Sequence, residues 1–466
     1  MPVTIERCNT PEDLLHRLVR EGLPELLSTL SMADRYLPRH VEQELANFIG
    51  CGDPREGFAW LMCDGCSHHR LVPFSCKGRG FCPCCGGRRM AERARRWVGE
   101  LIPDVRIRQW VFTVPWPRRW LLARKPSLAK ALLAIALQEI RGWMRRRTGE
   151  PRGETGTITV IQRFGSALNL NVHFHVLMLD GVYTEGCVGG ELEWHRAPTP
   201  RTSEVEELVV AIALRCERYL GEQGYGRDEA DGEEAAGQSS MQAAAVSGRS
   251  AVGGGRRARR VQLLGGRPYR LPARCALCDG YSLHGGVSVN SSDRLGLERL
   301  CRYVSRRALA KARLREVSAG RVQVSFKRPW SDGTVGVEFS RVELVERLAA
   351  LVPPRGSNTV LYHGVLSARS RFRSRVPGPS AGPSLVEPAG GLSGRLTRRP
   401  VGRSRWVSWR RLLWRVFAVD GFACPRCGEG MRVRGVVLPP ATLTVLSGLA
   451  RSARGPPGGF AARQGP

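Results

Sequence analysis

The chain has 466 residues, enough for two or three domains, and 42% of them are hydrophobic, enough to build real cores. Lysine and arginine number 72 against 42 aspartates and glutamates; a net charge of +30 points to a polyanion, most simply nucleic acid, with an anionic membrane surface as the competing reading. No run of the roughly 18 apolar residues that a membrane span needs is present, and Met1-Pro-Val-Thr-Ile-Glu-Arg7 has no signal-peptide core, so the expectation is a cytoplasmic protein without a membrane partner. There the 15 cysteines are expected as metal ligands and buried thiols, not disulfides.

Thr10-Pro11-Glu12-Asp13 reads as a helix start, followed by the apolar stripe Leu14, Leu15, Leu18 and Val19. A second helix is expected at about 39–50, ending at Gly50-Cys51-Gly52. Cys63-x2-Cys66 and Cys82-x2-Cys85 follow, fifteen residues apart. Each pair forms a tight knuckle, and two knuckles make a closed tetrahedral zinc site, structural because no coordination position stays open. His68, His69, Cys76 and Cys84 are alternate ligands, and Lys77-Gly-Arg-Gly-Phe81 is a basic loop that either touches phosphates or is solvated. Arg88, Arg89, Arg93, Arg95 and Arg96 crowd a helix running to about Glu100.

A strand is expected at 108–115, a helix capped by Ser127 and stopped at Arg145-Arg-Arg-Thr-Gly149, and a second strand at 157–164. Asn171-Val-His-Phe-His-Val-Leu-Met-Leu-Asp-Gly181 is a third strand with a turn. Period two puts His173 and His175 on one face and Val172, Phe174, Val176 and Met178 on the other. Two imidazoles on one strand face can hold a divalent cation; the bland alternative is a pair of surface histidines.

Residues 224–260 have linker composition and are expected to be a mobile insertion. An amphipathic helix is expected over 292–314, with Leu297, Leu300 and Val304 on one face and Tyr303 beside it. A lone tyrosine there is usually a packing residue. Arg299, Arg306 and Arg307, at −4, +3 and +4, would instead surround its phenol with cations suited to a phosphodiester, and a phenol oxygen is a covalent nucleophile. Further on come a hairpin around Ser331-Asp-Gly333, a helix at 341–351, a strand at 359–365, a basic linker, an amphipathic helix at Trp406–Val416, and Cys424-Pro-Arg-Cys427, half of a zinc ribbon whose missing pair Cys275-x2-Cys278 could supply across space.

Taken together and in order, Phe74-Ser-Cys-Lys-Gly-Arg-Gly-Phe-Cys-Pro-x-Cys85, Arg108-Gln-Trp-Val111, Ile161-Gln-Arg-Phe-Gly-Ser-Ala-Leu-Asn-Leu-Asn171, His173-Phe-His175, Asp180-Gly-Val-Tyr183, Leu300-Cys-Arg-Tyr-Val304, Tyr362-His-Gly-Val365 and Cys424-Pro-Arg-Cys-Gly428 resemble the insertion-sequence 91 type of rolling-circle transposases, of the His-hydrophobe-His nuclease class. The resemblance implies an α+β protein: an N-terminal zinc domain, an antiparallel sheet flanked by helices, and a C-terminal helical CxxC module. It implies that His173, His175 and one more polar group hold Mg²⁺ or Mn²⁺. It also implies that Tyr303 attacks single-stranded DNA to leave a 5′-phosphotyrosine, with no nucleotide cofactor. Gln162 on the neighbouring strand is the candidate third ligand; Asn169 and Asn171 share the histidines' parity, while Asp180 lies an odd number of residues from both and should face away. Some members carry two tyrosines one helical turn apart, whereas position 307 here is arginine.

The expected organisation is a zinc-binding domain at 1–100, a nuclease domain at 101–375 interrupted by 224–260, a linker at 376–404, a CxxC module at 405–450 and a tail at 451–466. A plasmid replication initiator or relaxase is the alternative within the same chemistry, and a non-catalytic zinc-containing DNA-binding protein is the alternative outside it.

Overall fold

The computed structural model describes residues 3–5, 13–186, 190–226, 238–252, 254–255, 257–262, 270–318, 320–379 and 423–453. In chain order they form β1 (Val3–Ile5), α1 (Leu14–Met32), α2 (Arg39–Ile49), β2 (Phe58–Cys63), β3 (His69–Pro73), α3 (Pro83–Arg96), β4 (Ile107–Thr113), α4 (Trp116–Arg124), α5 (Pro126–Thr148), β5 (Gly156–Phe164), β6 (Leu170–Leu179), β7 (Gly181–Glu185), β8 (Leu192–Arg196) and α6 (Thr202–Glu222). There follow α7 (Gln238–Val246), β9 (Arg259–Gln262), β10 (Cys275–Cys278), β11 (Tyr281–Val289), α8 (Arg294–Val304), β12 (Leu314–Ser318), β13 (Arg321–Ser325), β14 (Thr334–Ser340), α9 (Arg341–Leu351), β15 (Val360–Gly364), β16 (Met431–Val437) and α10 (Ala441–Ala453). The protein is mixed α+β, with antiparallel sheets flanked by helices. No helix among the described residues is long and apolar enough to cross a membrane.

Two units divide the chain. One comprises Met1–Arg20, Gln43–Gly78 and Arg395–Pro466; the other comprises Glu21–Glu42 and Arg79–Gly394. The smaller unit is built on a sheet of order β1-β3-β2-β16. Its last strand comes from the far end of the chain: Met431 stands opposite Cys63 and Val437 opposite Phe58. The C-terminal CxxC segment therefore does not form a module of its own, as the sequence suggested, but completes this sheet. Leu61, Cys63, Val72, Cys424 and Met431 share one buried cluster, and Phe58 and Leu71 share another with Leu449 of α10. The helix expected at Trp406–Val416, the linker from 380 and the tail from 454 lie outside the described residues.

The larger unit is organised around a six-stranded antiparallel sheet, β10-β11-β4-β6-β5-β15. β6 is central and buried along its length. Val172, Phe174, Val176 and Met178 pack on one face, where Phe112 stacks on Phe174 at 5.6 Å and α4 lies against the strand. Leu177 and Leu179 pack on the other face, in a core with Leu297, Leu300 and Val304 of α8 and with Ala94 and Trp97 at the end of α3. Burying three such α8 side chains contributes roughly 1.5–3 kcal/mol each, which is what fixes this helix over β5 and β6.

Four sequence expectations fail locally. The helix expected over 292–314 stops at Val304, although Arg306–Ala310 suits helix. Gln162 on β5 donates from Nε2 to the Val304 carbonyl at 2.7 Å, so the last turn finds a partner outside the helix, and leaving the helix lets Ala308 and Leu309 be buried. The insertion at 224–260 contains α7, which packs on α9 through small residues. Gln238 donates to the Ala349 and Val352 carbonyls at 3.2 Å, capping the end of α9. Ser127 lies inside the first turn of α5, whose N-cap is Lys125. One cysteine departs from the all-thiol expectation: Cys84 is disulfide-bonded.

Candidate active site and metal centre

In the smaller unit, Cys63 ends β2 and Cys66 lies in the turn to β3. A matching turn after Ala423 places Cys424 and Cys427: the Cys424 amide donates to Glu429 and the Gly428 amide to Cys424. The four sulfurs lie within 4.8 Å of one another, with Cys63 Sγ 3.4 Å from Cys427 Sγ and Cys66 Sγ 3.5 Å from Cys424 Sγ. A tetrahedron with Zn–S bonds of about 2.3 Å has sulfur separations of about 3.8 Å, so four thiolates drawn to one zinc need move little. Burial opposes ionisation of Cys424, and the backbone amides of Arg426 and Cys427 outweigh it, holding the thiol down at about 6. The expected quartet is thereby corrected: Cys63 and Cys66 are completed by Cys424 and Cys427, and this set needs neither Cys82 and Cys85 nor Cys275 and Cys278. Cys82 is the N-cap of α3, with Cys85 in its first turn. Cys275 and Cys278 sit on β10, where an odd separation points them to opposite faces.

In the larger unit, the ladder sets Gln162 of β5 and Thr113 of β4 directly opposite His173, so their side chains share its face. The His173 and His175 rings are 4.9 Å apart, and both are buried. His173 donates from Nδ1 to the Asn171 carbonyl at 2.9 Å, which leaves Nε2 with its lone pair. The Gln109 amide meets His175 Nδ1 at 2.7 Å, and His175 Nε2 has no hydrogen-bond partner. A glutamine amide can present either its NH₂ or its oxygen, and a cation on Nε2 selects the oxygen as acceptor for Nδ1–H. Burial, together with the Arg306 and Arg119 cations, holds His173 down at about 4; burial, His173 and Arg306 hold His175 well below the usual imidazole range. Both imidazoles are therefore neutral at neutral pH, the form that binds metal.

Gln162 uses Nε2 on Val304, and its buried Oε1 has no partner. Asn171 Oδ1, on β6 with the histidines, is a second unpartnered oxygen. Asp180 is excluded by its surroundings: fully buried, it is gripped by Arg106 at 2.5 Å and by Arg108 at 2.9 and 3.0 Å. Two imidazoles and one amide oxygen are a mixed nitrogen and oxygen donor set of the kind that suits Mn²⁺ or Mg²⁺.

Tyr303, in the last turn of α8, lies beside this set. Its ring meets His175 edge-on, with centroids 5.8 Å apart and planes at 82°. It is 45% exposed, so it is held by packing yet open to a strand outside. Arg306 lies over the Tyr303 ring at 5.0 Å and over Phe164 at 5.7 Å, with its Nε unpartnered. Arg299 is exposed one turn earlier on the helix. Arg307 turns elsewhere: a Cβ on Gly87 would meet its guanidinium at 2.7 Å, so it lies along the glycine face of α3. Gln109 and Arg119 were missed in the sequence, because only strand pairing and the position of α4 bring them to the histidines.

The transposase zinc-binding domain family model (Zn_Tnp_IS91) matches residues 19–114, and the Y2_Tnp transposase family model matches residues 156–374. The chain belongs to the insertion-sequence 91 type of transposases. Residues 19–114 and 156–374 of the transposase do not overlap, and they take in His173, His175, Gln162 and Tyr303 as well as Cys63 and Cys66. No curated protein and no solved structure matches the transposase.

Proposed function

We propose that this transposase cuts and rejoins single-stranded DNA through Tyr303. The observation that carries the reading is the edge-on placement of Tyr303 against His175, beside two neutral imidazoles and an unpartnered amide oxygen. In the reaction, Tyr303 Oη bonds to the scissile phosphorus and the bond to the 3′ oxygen breaks. The phenolic proton leaves to solvent and the departing oxygen takes one up, giving a 5′-phosphotyrosine and a free 3′-OH. Phosphoester bonds are conserved, so no nucleotide cofactor is consumed, and reversal by another 3′-OH joins strands. His173, His175 and Gln162 would hold Mg²⁺ or Mn²⁺, which supplies charge neutralisation on the phosphate oxygens. Gln109 orients His175, the Asn171 carbonyl orients His173, and Arg306 sets a cation over the phenol. Cys63, Cys66, Cys424 and Cys427 hold structural Zn²⁺, and the work takes place in the cytoplasm on the ends of a mobile element.

Covalent trapping tests this. Wild-type and Tyr303→Phe protein are incubated with labelled single-stranded DNA from the element's end, with Mn²⁺ or with EDTA. A denaturing gel should show an adduct that needs the metal and the hydroxyl. Intact DNA binding without an adduct would return the protein to the non-catalytic reading.

A further inference from the structure

Beside Tyr303 the larger unit has a cavity lined by Arg79, Arg89, Arg93, Arg306 and Arg307, with Ser305 among its walls. It is assembled from the basic loop before α3, one face of α3, β5, the chain just after α8 and the segment at the end of α9. No carboxylate lines it. Among the described residues, Arg93, Arg306 and Arg307 have no ion-pair partner, whereas on α3 and α8 Arg95 finds Glu100, Arg294 finds Asp104 and Arg302 finds Glu298. Ser305 is 8% exposed, and its Oγ has no hydrogen-bond partner. A buried hydroxyl without a partner, beside the Arg93, Arg306 and Arg307 guanidinium groups, is costly in the empty protein and marks a place built for an anion.

We propose that this cavity binds one phosphate of the substrate strand, the neighbour of the phosphate that Tyr303 attacks. Ser305, Arg306 and Arg307 lie two to four residues after Tyr303 and Arg306 covers its ring, so an anion held there is held next to the nucleophile. Gln162 lines the same cavity, which joins it to the donor set on β5 and β6. Burial and the neighbouring Arg89 push Arg93 down to about 10; it remains a cation at neutral pH, and an anion would relieve it. Guanidinium groups present planar pairs of N–H donors that match phosphate oxygens. The cavity thus fixes the register of the strand, so that one chosen bond, and not its neighbour, faces Tyr303. The proposal rests on the reading above only for the path of the strand past Tyr303.

The test uses the full chain carrying Tyr303→Phe, so that binding is read without turnover. Element-end oligonucleotides each carry one neutral methylphosphonate, moved along the strand. At one position the substitution should weaken binding by about tenfold, the loss of charge-assisted hydrogen bonds to one phosphate. In a chain that also carries Arg89→Gln and Arg93→Gln, the same position should cost nothing further, while other positions cost what they did before. The slope of log affinity against log salt should fall by about 0.7, one single-strand phosphate, even though two arginines were removed. Arg89→Gln alone serves if the double variant fails to fold. A scan that costs both chains equally at every position overturns the cavity's role. The trapping gel separates the two ideas: a flat scan with a normal adduct removes the cavity alone, and a positive scan without an adduct removes the tyrosine chemistry alone.

Discussion

Asp180 offers the sharpest test of how the two-histidine strand was read. It lies just past His173 and His175 and is the only carboxylate close to them in sequence, which makes it a tempting third ligand even though strand parity turns it away from them. The structure instead encloses it completely between Arg106 and Arg108. Replacing it with alanine leaves two buried guanidinium groups facing each other, and breaking a buried pair by removing one partner costs about 3–5 kcal/mol. For a unit of this size each kcal/mol moves the melting temperature by about 2 °C, so a fall of about 6–10 °C is expected. Asp180→Asn keeps one acceptor oxygen and should fall between wild type and alanine. The assay pairs differential scanning fluorimetry with the covalent-adduct gel run well below the lowered transition. Both variants should melt early yet still form a metal-dependent adduct at low temperature. If Asp180→Ala melts with wild type but forms no adduct, the ion-pair account is wrong and Asp180 is a ligand.

Gln162→Leu should abolish the adduct while melting only slightly lower, because it loses the orphan oxygen and one hydrogen bond worth about 1 kcal/mol; an unchanged Mn²⁺ requirement would hand the role to Asn171. Gln109→Leu should raise the Mn²⁺ concentration needed for half-maximal adduct by about 10–100-fold, the usual effect of removing a partner that orients a ligating histidine; no shift would leave His175 oriented by packing alone. Cys424→Ser should lower the zinc content measured by inductively coupled plasma mass spectrometry by one equivalent per chain, and Cys275→Ser should not. Prolonged chelation should destabilise the smaller unit, seen as loss of protease resistance around Cys63.

The two-histidine strand was legible because a period-two pattern survives any packing: Phe174 and Val176 have to go inward on one side, so His173 and His175 fall together on the other. Tyr303 was legible from the arginines near it, although the reason given was partly mistaken. Arg306 reaches the ring from a loop rather than from a helix turn, and Arg307 goes to Gly86 and Gly87, because Gln162 ends the helix at Val304. That ending depends on a residue 142 positions away, which no local propensity encodes. The grouping of the cysteines was hidden for the same kind of reason. Two CxxC motifs fifteen residues apart fit a common spacing, yet β16 brings Cys424 and Cys427 to Cys63 and Cys66 from the far end of the chain. α7 was missed because composition counts large apolar residues, while this helix packs with alanines and caps α9 with glutamines.

The span between Cys66 and Cys424 also carries a timetable. They are 358 residues apart, and a ribosome adding about 5–20 residues per second needs roughly 20–70 seconds to cover that distance. Throughout that interval the first hairpin holds only half of a tetrahedral set, and by its end the sheet bearing His173 and the helix bearing Tyr303 have been made. A zinc ion can close the smaller unit only when the last stretch arrives, so a message cut short before Cys424 yields a chain with the two-histidine sheet and Tyr303 made and the clasp open.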